Sequence, residues 1–121
     1  MARVLVAEDD VQMSGLLARL LEMEGYECVV VPADADIPAS VSRLAPDAVL
    51  LDVFLGDQSG LAALETLRSG ATTRGLPVVM MSGRDVELEC VERGAFAFLL
   101  KPFVPAELLL ALRLATNPRG G

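Results

Sequence analysis

Five short apolar segments, separated by stretches with helical character, restrict the fold of this chain more than any other feature. The segments are RVLVA at 3–7, ECVVV at 27–31, AVLLD at 48–52, VVMM at 78–81 and AFLL at 97–100. Because their apolar residues are nearly continuous, they are typical of strands buried on both faces of a sheet. Strands that alternate with helices across short connections favour a doubly wound parallel sheet with right-handed crossovers. The sequence therefore predicts an α/β fold with five parallel strands flanked by five helices.

The helices are predicted from apolar periodicity and from residues that begin or end helices. The first contains Met13, Leu16, Leu17, Leu20 and Leu21 at amphipathic spacing, with Gly25 placed to end it. The others are predicted from Pro38 to Leu44, Gly60 to Ser69, Asp85 to Arg93, and Pro105 to the segment NPRGG. In the third helix, Leu61, Leu64 and Leu67 are expected to face inward, with Asp57 or Ser59 as the cap. We expect one domain over residues 1–116, followed by a tail or the start of a linker at 117–121.

The charge balance and the length of the apolar segments exclude some classes of protein. Seventeen acidic residues against ten basic ones give a formal net charge of −7. This charge would repel a phosphate backbone, so we expect no direct binding of nucleic acid. Every apolar segment is far shorter than the roughly 20 residues that cross a bilayer. Since the acids at 8–10 also interrupt any signal-peptide pattern, we expect no membrane association and a cytoplasmic location.

Acidic residues follow two of the predicted strands, at the edge where a doubly wound sheet carries its functional site. Glu8, Asp9 and Asp10 follow the first strand, and Asp52 ends the third. A single acid is enough to cap a helix, and a lone Asp52 would be an ordinary turn residue. Because the first and third strands are neighbours in such a sheet, however, Glu8, Asp9 and Asp52 should converge, and clustered carboxylates require a cation. Oxygen ligands at a hydrated rim suit Mg²⁺, for which the backbone carbonyl of Phe54 is a further candidate ligand.

Ser82 and Lys101 follow the fourth and fifth strands and are candidates for the same site. Taken alone, Ser82 is as consistent with a helix cap or a turn hydroxyl as with a functional group. Lys101, the only lysine in the chain, lies between FLL and PF. A solvated surface lysine is the alternative, but apolar neighbours on both sides hold its stem and direct its ammonium to the rim. There it suits a phosphoryl or carboxylate oxygen. The absence of histidine excludes histidine-dependent catalysis within this chain.

Together these segments resemble the receiver domain of bacterial two-component response regulators, a family that includes the single-domain chemotaxis regulator. The matching segments are VLVAEDD at 4–10, PDAVLLD at 46–52 followed by Gly60, LPVVMMSG at 76–83, GA at 94–95 and LLKPF at 99–103. The resemblance covers essentially the whole chain and implies a flavodoxin-like (βα)5 fold.

The resemblance also implies a role for each candidate residue. Asp52 would accept a phosphoryl group from a histidine kinase or a phosphotransfer protein, and Ser82 and Lys101 would contact that group. Glu8 and Asp9 would bind Mg²⁺ together with Asp52. The domain would catalyse only its own phosphorylation and dephosphorylation, so it would not be an enzyme in the usual sense.

Phosphorylation is expected to change the output surface. By the resemblance, Ser82 and Phe98 form a switch that remodels the face of the fourth helix, the fifth strand and the fifth helix. The interval between Ser82 and Lys101 is shorter than usual in the family, which predicts a shortened fourth helix or flanking loop. Gly56 stands where the family often has proline, which predicts a looser loop after Asp52. The Lys101–Pro102 peptide is implied to be cis.

The fifth helix gives a separate indication of a partner. In AELLLALRLA at 106–115 only Glu107 and Arg113 are charged, so apolar side chains surround the helix. A helix that is apolar all round is normally covered on both sides. We therefore predict that Leu109, Leu110 or Leu114 contributes an apolar patch that meets a second copy or an output domain.

Two other functions stay open at this point. A degenerate receiver would keep the fold and act as an interaction module without phosphorylation. The complete set of acids, hydroxyl and lysine argues against it. A small phosphatase with an aspartyl nucleophile would want a second acid two positions after Asp52, where this chain has Phe54.

Overall fold

The computed structural model describes residues 1–117 of the chain. Its elements are β1 (Arg3–Ala7), α1 (Val11–Met23), β2 (Glu27–Val31), α2 (Ile37–Leu44), β3 (Ala48–Asp52), β4 (Phe54–Leu55), β5 (Gln58–Ser59), α3 (Gly60–Ser69), β6 (Val78–Ser82), α4 (Glu87–Glu92), β7 (Ala97–Leu100) and α5 (Pro105–Thr116). Five strands form one parallel sheet in the order β2-β1-β3-β6-β7. The predicted doubly wound fold is confirmed. Of the predicted tail at 117–121, residues 118–121 lie outside the described residues.

Two apolar layers hold the helices against the sheet. On one face the core includes Leu5, Val49, Leu51 and Met80 of the strands with Ile37, Leu64, Leu67 and Cys90 of α2, α3 and α4. On the other it includes Val4, Val6, Leu50 and Val79 with Leu17, Leu21, Leu108 and Leu112 of α1 and α5. The alternation of strand residues between the layers fixes the register of the central strands, because a slip of one residue would exchange the two faces. Among residues 1–117, no helix has the length and apolar character needed to span a membrane.

Three local predictions about burial are wrong. The strands at the two edges of the sheet are not buried on both faces, since Val30 of β2 is 42% exposed and Leu100 of β7 is 47% exposed. An edge strand has a neighbouring strand on one side only, and the flanking helices do not cover it fully. Leu16 of α1 does not face inward as predicted and is 66% exposed, whereas Leu17 and Leu21 are buried.

The helix ends agree with the sequence in α1 and α3. Asp10 caps α1 by accepting hydrogen bonds from the backbone N–H groups of Gln12 and Met13, at 3.0 and 3.1 Å. Gly25, with φ of 90°, follows the end of α1 as predicted. Of the two candidate caps for α3, the structure uses Ser59, whose hydroxyl accepts from the N–H of Ala62 at 3.1 Å.

The fourth helix is shorter than the predicted range from Asp85 to Arg93. It contains six residues, and its N-cap residue, Val86, provides no side-chain hydrogen bond. The alternative in which Ser82 caps this helix is wrong, because the Ser82 hydroxyl accepts instead from the N–H of Arg84 at 3.0 Å. A six-residue α4 is consistent with the shortening expected in the fourth helix or a flanking loop from the brief interval between Ser82 and Lys101.

A small hairpin between β3 and α3 was not predicted. Phe54 pairs with Ser59 and Leu55 with Gln58 in antiparallel register. Gly56 and Asp57 form the two-residue turn, and Gly56 has φ of 57°. A positive φ at the first turn residue is characteristic of a type II′ hairpin and favours glycine. The hairpin lies immediately after Asp52 and therefore borders the candidate site.

Candidate functional site at the carboxyl edge of the sheet

Three carboxylates converge where β1 and β3 end. Ala7 lies opposite Leu51 in the register of these two strands, so the residues that follow, Glu8 and Asp52, are neighbours across the sheet. Glu8, Asp9 and Asp52 each offer a carboxylate oxygen, and these oxygens lie within 4.8 Å of one another. Glu8 and Asp52 are buried, with 4% and 5% of their surface exposed, whereas Asp9 is exposed. The cluster is thus embedded in the protein on one side and open to solvent on the other.

Lys101 reaches this cluster from the far edge of the sheet. Its backbone N–H donates to the carbonyl of Ser82 at 2.8 Å, which continues the pairing of β7 with β6. Its side chain extends past the end of β6, where the ammonium donates to Oδ2 of Asp52 at 2.6 Å and to Oε1 of Glu8. The alternative of a solvated surface lysine is therefore wrong. The single ammonium forms ion pairs with two buried carboxylates.

Burial and hydrogen bonding set the pKa values in the cluster. Burial raises the pKa of Glu8, although the hydrogen bond from Lys101 partly offsets this rise. Burial alone would lower the pKa of Lys101, but its hydrogen bonds with Asp52 and Glu8 outweigh that effect and raise it. The side-chain interaction between Glu8 and Asp9 lowers the pKa of the exposed Asp9. Lys101 therefore remains an ammonium, and the acids outnumber the positive groups.

Backbone groups fix Asp52 on the side away from Lys101. Oδ1 of Asp52 accepts from the N–H of Phe54 at 2.9 Å, while Oδ2 accepts from Lys101. The first residue of α3, Gly60, packs directly on the backbone behind the site, and a Cβ there would lie 2.1 Å from the carbonyl oxygen of Asp52. Such a distance excludes any side chain at Gly60. The carboxylate of Asp52 is thus held by two donors on a rigid strand end.

Ser82 lies at the end of β6, beside β3. Met81 is opposite Asp52 in the register of β3 and β6, so Ser82 is one residue further towards the rim. The Ser82 side chain is fully buried, and its hydroxyl accepts from Arg84 N–H. Phe98, in the middle of β7, is half-buried and packs against the core layer that contains α3 and α4. The Lys101–Pro102 peptide is cis, as the resemblance implied.

Phe54 and Arg84 form the outer rim of the site. The Phe54 ring is 49% exposed, and the guanidinium carbon of Arg84 lies 5.1 Å from its centroid, which is within the range of a cation–π contact. The amide of Phe54 is directed at Asp52. The role of the Phe54 carbonyl as a metal ligand stays a prediction.

Hydrogen bonds connect the hairpin after Asp52 to its surroundings. The N–H of Gly56 donates to Oδ2 of Asp9 at 3.2 Å. The side-chain amide of Gln58 donates to the carbonyls of Ala33 and Ala35, at 2.6 and 2.8 Å. The expectation that Gly56 loosens this segment stays a prediction, although glycine supplies an N–H that proline lacks. Sequence reasoning missed Gln58, whose contacts lie more than twenty residues away along the chain.

The face formed by α4, β7 and α5 carries exposed apolar side chains. Of the three leucines named for a patch, Leu110 is 53% and Leu114 is 48% exposed, whereas Leu109 is half-buried. Leu88 and Val91 of α4 and Leu100 of β7 are also exposed. Of the leucines predicted for an apolar patch on α5, Leu110 and Leu114 are thus exposed, and α4 and β7 also expose apolar residues.

Comparisons with known proteins agree with this arrangement. Residues 4–113 match the family model described as the response regulator receiver domain. The chain is 32% identical over 114 residues to the DNA-binding response regulator MtrA of Mycobacterium tuberculosis (strain ATCC 25618 / H37Rv), covering 92% of this chain and 49% of that protein. It is 36% identical over 124 residues to the sensory transduction protein RegX3 of Mycobacterium tuberculosis (strain CDC 1551 / Oshkosh), covering 100% of this chain and 53% of RegX3. The chain thus spans about half the length of the curated relatives it matches.

A solved structure extends the similarity to the fold. The structure of a putative response regulator from Chloroflexus aurantiacus J-10-fl superimposes with a TM-score of 0.88 at 26% identity. The superposition covers 95% of this chain and 97% of that one. The similarity therefore includes all five strands of the main sheet and the helices around it.

Proposed function

This chain belongs to the response regulator receiver domain family, and we propose that it accepts a phosphoryl group on Asp52 from a histidine kinase or a phosphotransfer protein. One observation carries the proposal: the buried Asp52 carboxylate is held between the ammonium of Lys101 and the N–H of Phe54, beside Glu8 and Asp9. We place this reaction in the cytoplasm, as the sequence predicts.

The proposed reaction is a direct phosphoryl transfer. An oxygen of Asp52 forms a bond to phosphorus while the bond between phosphorus and the donor imidazole nitrogen breaks, and the electron pair of that bond stays with the imidazole. Such a reaction depends mainly on positioning and on the stabilisation of charge on the transferring oxygens. The Lys101 ammonium, already within 2.6 Å of Asp52, supplies a positive charge at that place.

The donor atoms at the rim fit a magnesium ion. Glu8, Asp9 and Asp52 provide only oxygen ligands, and the exposure of Asp9 leaves one side open to the water molecules that Mg²⁺ retains. We propose that these three residues hold the ion, with the carbonyl of Phe54 as a further ligand. When bound, Mg²⁺ offsets negative charge on the phosphoryl oxygens.

Phosphorylation would act on Ser82 and Phe98. A phosphoryl group adds about 1.5 to 2 negative charges and three acceptor oxygens. The Ser82 hydroxyl, which now accepts from Arg84 N–H, can donate its proton to one of these oxygens. Phe98 lies in β7, the strand that pairs with β6. Because phenylalanine has no hydroxyl, any change in its position on phosphorylation rests on packing. The exposed apolar face of α4, β7 and α5 is the surface on which we expect the change to be read by a second copy or an output domain.

Mass spectrometry of the intact protein tests the proposal. Incubation with acetyl phosphate and Mg²⁺ should give one phosphoryl adduct on the wild type and none on Asp52→Asn. Asp34→Asn is a matched control, because Asp34 is an exposed aspartate outside the carboxylate cluster. It should be phosphorylated like the wild type. Chelation of Mg²⁺ should abolish the adduct in both.

The absence of an adduct on the wild type would reject the proposal. That result would favour the alternative of a degenerate receiver that acts as an interaction module. An adduct that persists in Asp52→Asn would place the phosphoryl group on another residue.

A further inference from the structure

We propose that Gln58 is a positioning residue for the carboxylate cluster, acting through the hairpin of β4 and β5. The inference rests on the proposed function in one respect: the cluster is taken to bind Mg²⁺ and Asp52 to accept the phosphoryl group. Gln58 itself contacts none of the three acids. Its amide holds the hairpin in the position from which two backbone N–H groups reach Asp9 and Asp52.

The orientation of the Gln58 side chain follows from its partners. Nε2 donates to the carbonyl oxygens of Ala33 and Ala35, at 2.6 and 2.8 Å. Both partners are acceptors, so only the NH₂ group can face them, and each of its two protons has one acceptor. A carboxylate or an apolar side chain at this position would leave both contacts unmade. The two bonds are therefore specific to an amide at position 58.

The segment that receives Gln58 is firmly held. It follows β2 directly, and the N–H of Ala35 donates to the carbonyl of Pro32 at 3.0 Å. The next residue, Asp36, caps α2 by accepting from Ala39 N–H at 3.0 Å. β2 in turn pairs with β1 along its whole length. Gln58 thus connects the hairpin to the strand that lies beside the one from which Glu8 and Asp9 emerge.

The hairpin connects the contacts of Gln58 to the carboxylate cluster. Gln58 pairs with Leu55, which is fully buried. On either side of Leu55, the N–H of Phe54 donates to Asp52 at 2.9 Å and the N–H of Gly56 donates to Asp9 at 3.2 Å. A ladder of only two residue pairs has little stability of its own, so its position depends on its external contacts. The fold supplies these through Gln58 and Leu55.

The consequence concerns the carboxylate oxygens that face a cation. Each N–H occupies one oxygen of its carboxylate and so restricts the rotation of the side chain. Residues that orient metal ligands in this way typically change metal affinity by about 10- to 100-fold when they are replaced. Since Gln58 acts through the hairpin rather than directly, we expect an effect at the lower end of that range.

Gln58→Met tests the inference, because methionine keeps the length of the side chain and removes both donors. We expect the dissociation constant for Mg²⁺, measured by calorimetry, to rise about 10-fold. The rate of phosphorylation by acetyl phosphate should fall at low Mg²⁺ and recover towards the wild-type rate at saturating Mg²⁺. Gln12→Met is the matched control, since Gln12 is exposed on α1 and its side chain makes no hydrogen bond within residues 1–117. It should leave both quantities unchanged.

Three outcomes would overturn the inference. One is a folded Gln58→Met protein with wild-type Mg²⁺ affinity, even if its melting temperature is lower, because Gln58 would then only stabilise the fold. Another is a fall in phosphorylation rate that saturating Mg²⁺ does not reverse. The third needs no variant: rapid hydrogen exchange of the Gly56 amide in the wild type would mean that the hairpin is not held.

The same experiments separate this inference from the proposed function. Should the wild type bind Mg²⁺ but never form an adduct, phosphorylation is rejected, while the change in Mg²⁺ affinity still decides the role of Gln58. Should the wild type be phosphorylated normally and Gln58→Met be indistinguishable from it, only the positioning role fails.

Discussion

The carboxylate of Glu8 is buried beside that of Asp52. Its surface is 4% exposed. Its carboxylate forms an ion pair with the ammonium of Lys101, which also pairs with Asp52. Burial raises the pKa of Glu8. The folded protein therefore holds this proton more tightly than the unfolded chain does. The stability that follows is present below the ordinary pKa of a glutamate and is lost as the pH rises through the folded value.

Glu8→Gln should therefore stabilise the metal-free protein at neutral pH. Glutamine keeps an oxygen that can accept from Lys101 and removes one of two like charges. Since two carboxylates about 4 Å apart repel by about 4 kcal/mol at an effective dielectric of 20, we expect a net gain on the order of 1 kcal/mol. Urea unfolding in EDTA, at neutral pH and near pH 5, measures it. The advantage over the wild type should shrink as the pH falls.

Magnesium should reverse the order of stabilities. The wild type should gain stability on addition of Mg²⁺, and Glu8→Gln should gain little, because it has lost a ligand. Glu24→Gln, an exposed glutamate at the end of α1, serves as the control and should match the wild type in both conditions. A Glu8→Gln protein less stable than the wild type in EDTA at neutral pH would contradict the prediction.

At the scale of elements, α4 is the least supported helix. It has six residues, an N-cap residue that makes no side-chain hydrogen bond, only one long contact of 3.4 Å from Glu87 N–H to the Asp85 side chain, and Cys90 as its buried residue. By contrast, α3 has ten residues, the Ser59 cap and two buried leucines. Short helices gain most of their stability from caps and packing, both of which are sparse in α4.

Hydrogen exchange should reflect this difference. Amides in 87–92 are expected to exchange faster than those in 60–69, since local opening of α4 exposes little apolar surface. Exchange measured by mass spectrometry on the unphosphorylated protein, with peptides covering each helix, is the direct test. Equal protection of the two helices would show that contacts outside the helix hold α4. The outcome also bears on the proposed switch, because an element of low local stability is suited to change position.

For the whole molecule, the exposed face of α4, β7 and α5 is the surface most suited to association. Leu110 and Leu114 of α5 and Leu100 of β7 are each about half exposed on it. Contiguous apolar groups mark an interaction surface more often than scattered ones do.

Leu110→Glu should weaken self-association. Small-angle scattering over a range of concentrations, with and without acetyl phosphate and Mg²⁺, would measure the average mass. We expect the wild type to associate at high concentration and the variant to do so less, because a carboxylate must be desolvated at the interface. Leu16→Glu, which makes the same change at an exposed leucine of α1, should behave as the wild type. A strictly monomeric wild type in all conditions would reject self-association.

The amino-acid sequence by itself determined the order of strands and helices and the edge at which the site lies. The order of the elements follows from apolar patterns between residues close in the sequence. The edge follows because the carboxyl ends of parallel strands lie at one edge of the sheet. The sequence alone therefore assigns Glu8, Asp52 and Lys101 to one site. The caps were narrowed to one acid among residues 8–10 for α1 and to Asp57 or Ser59 for α3, since a cap acts within three residues.

The tertiary structure alone decided which groups meet within that site. The contact of Lys101 with both carboxylates depends on how far its side chain extends past β6. The contacts of Gly56 with Asp9 and of Gln58 with Ala33 and Ala35 depend on a hairpin whose two residue pairs leave no periodic signal. The exposure of Leu16 and Val30 likewise depends on how the elements cover one another. Such contacts join residues far apart in the chain, and packing in three dimensions selects them.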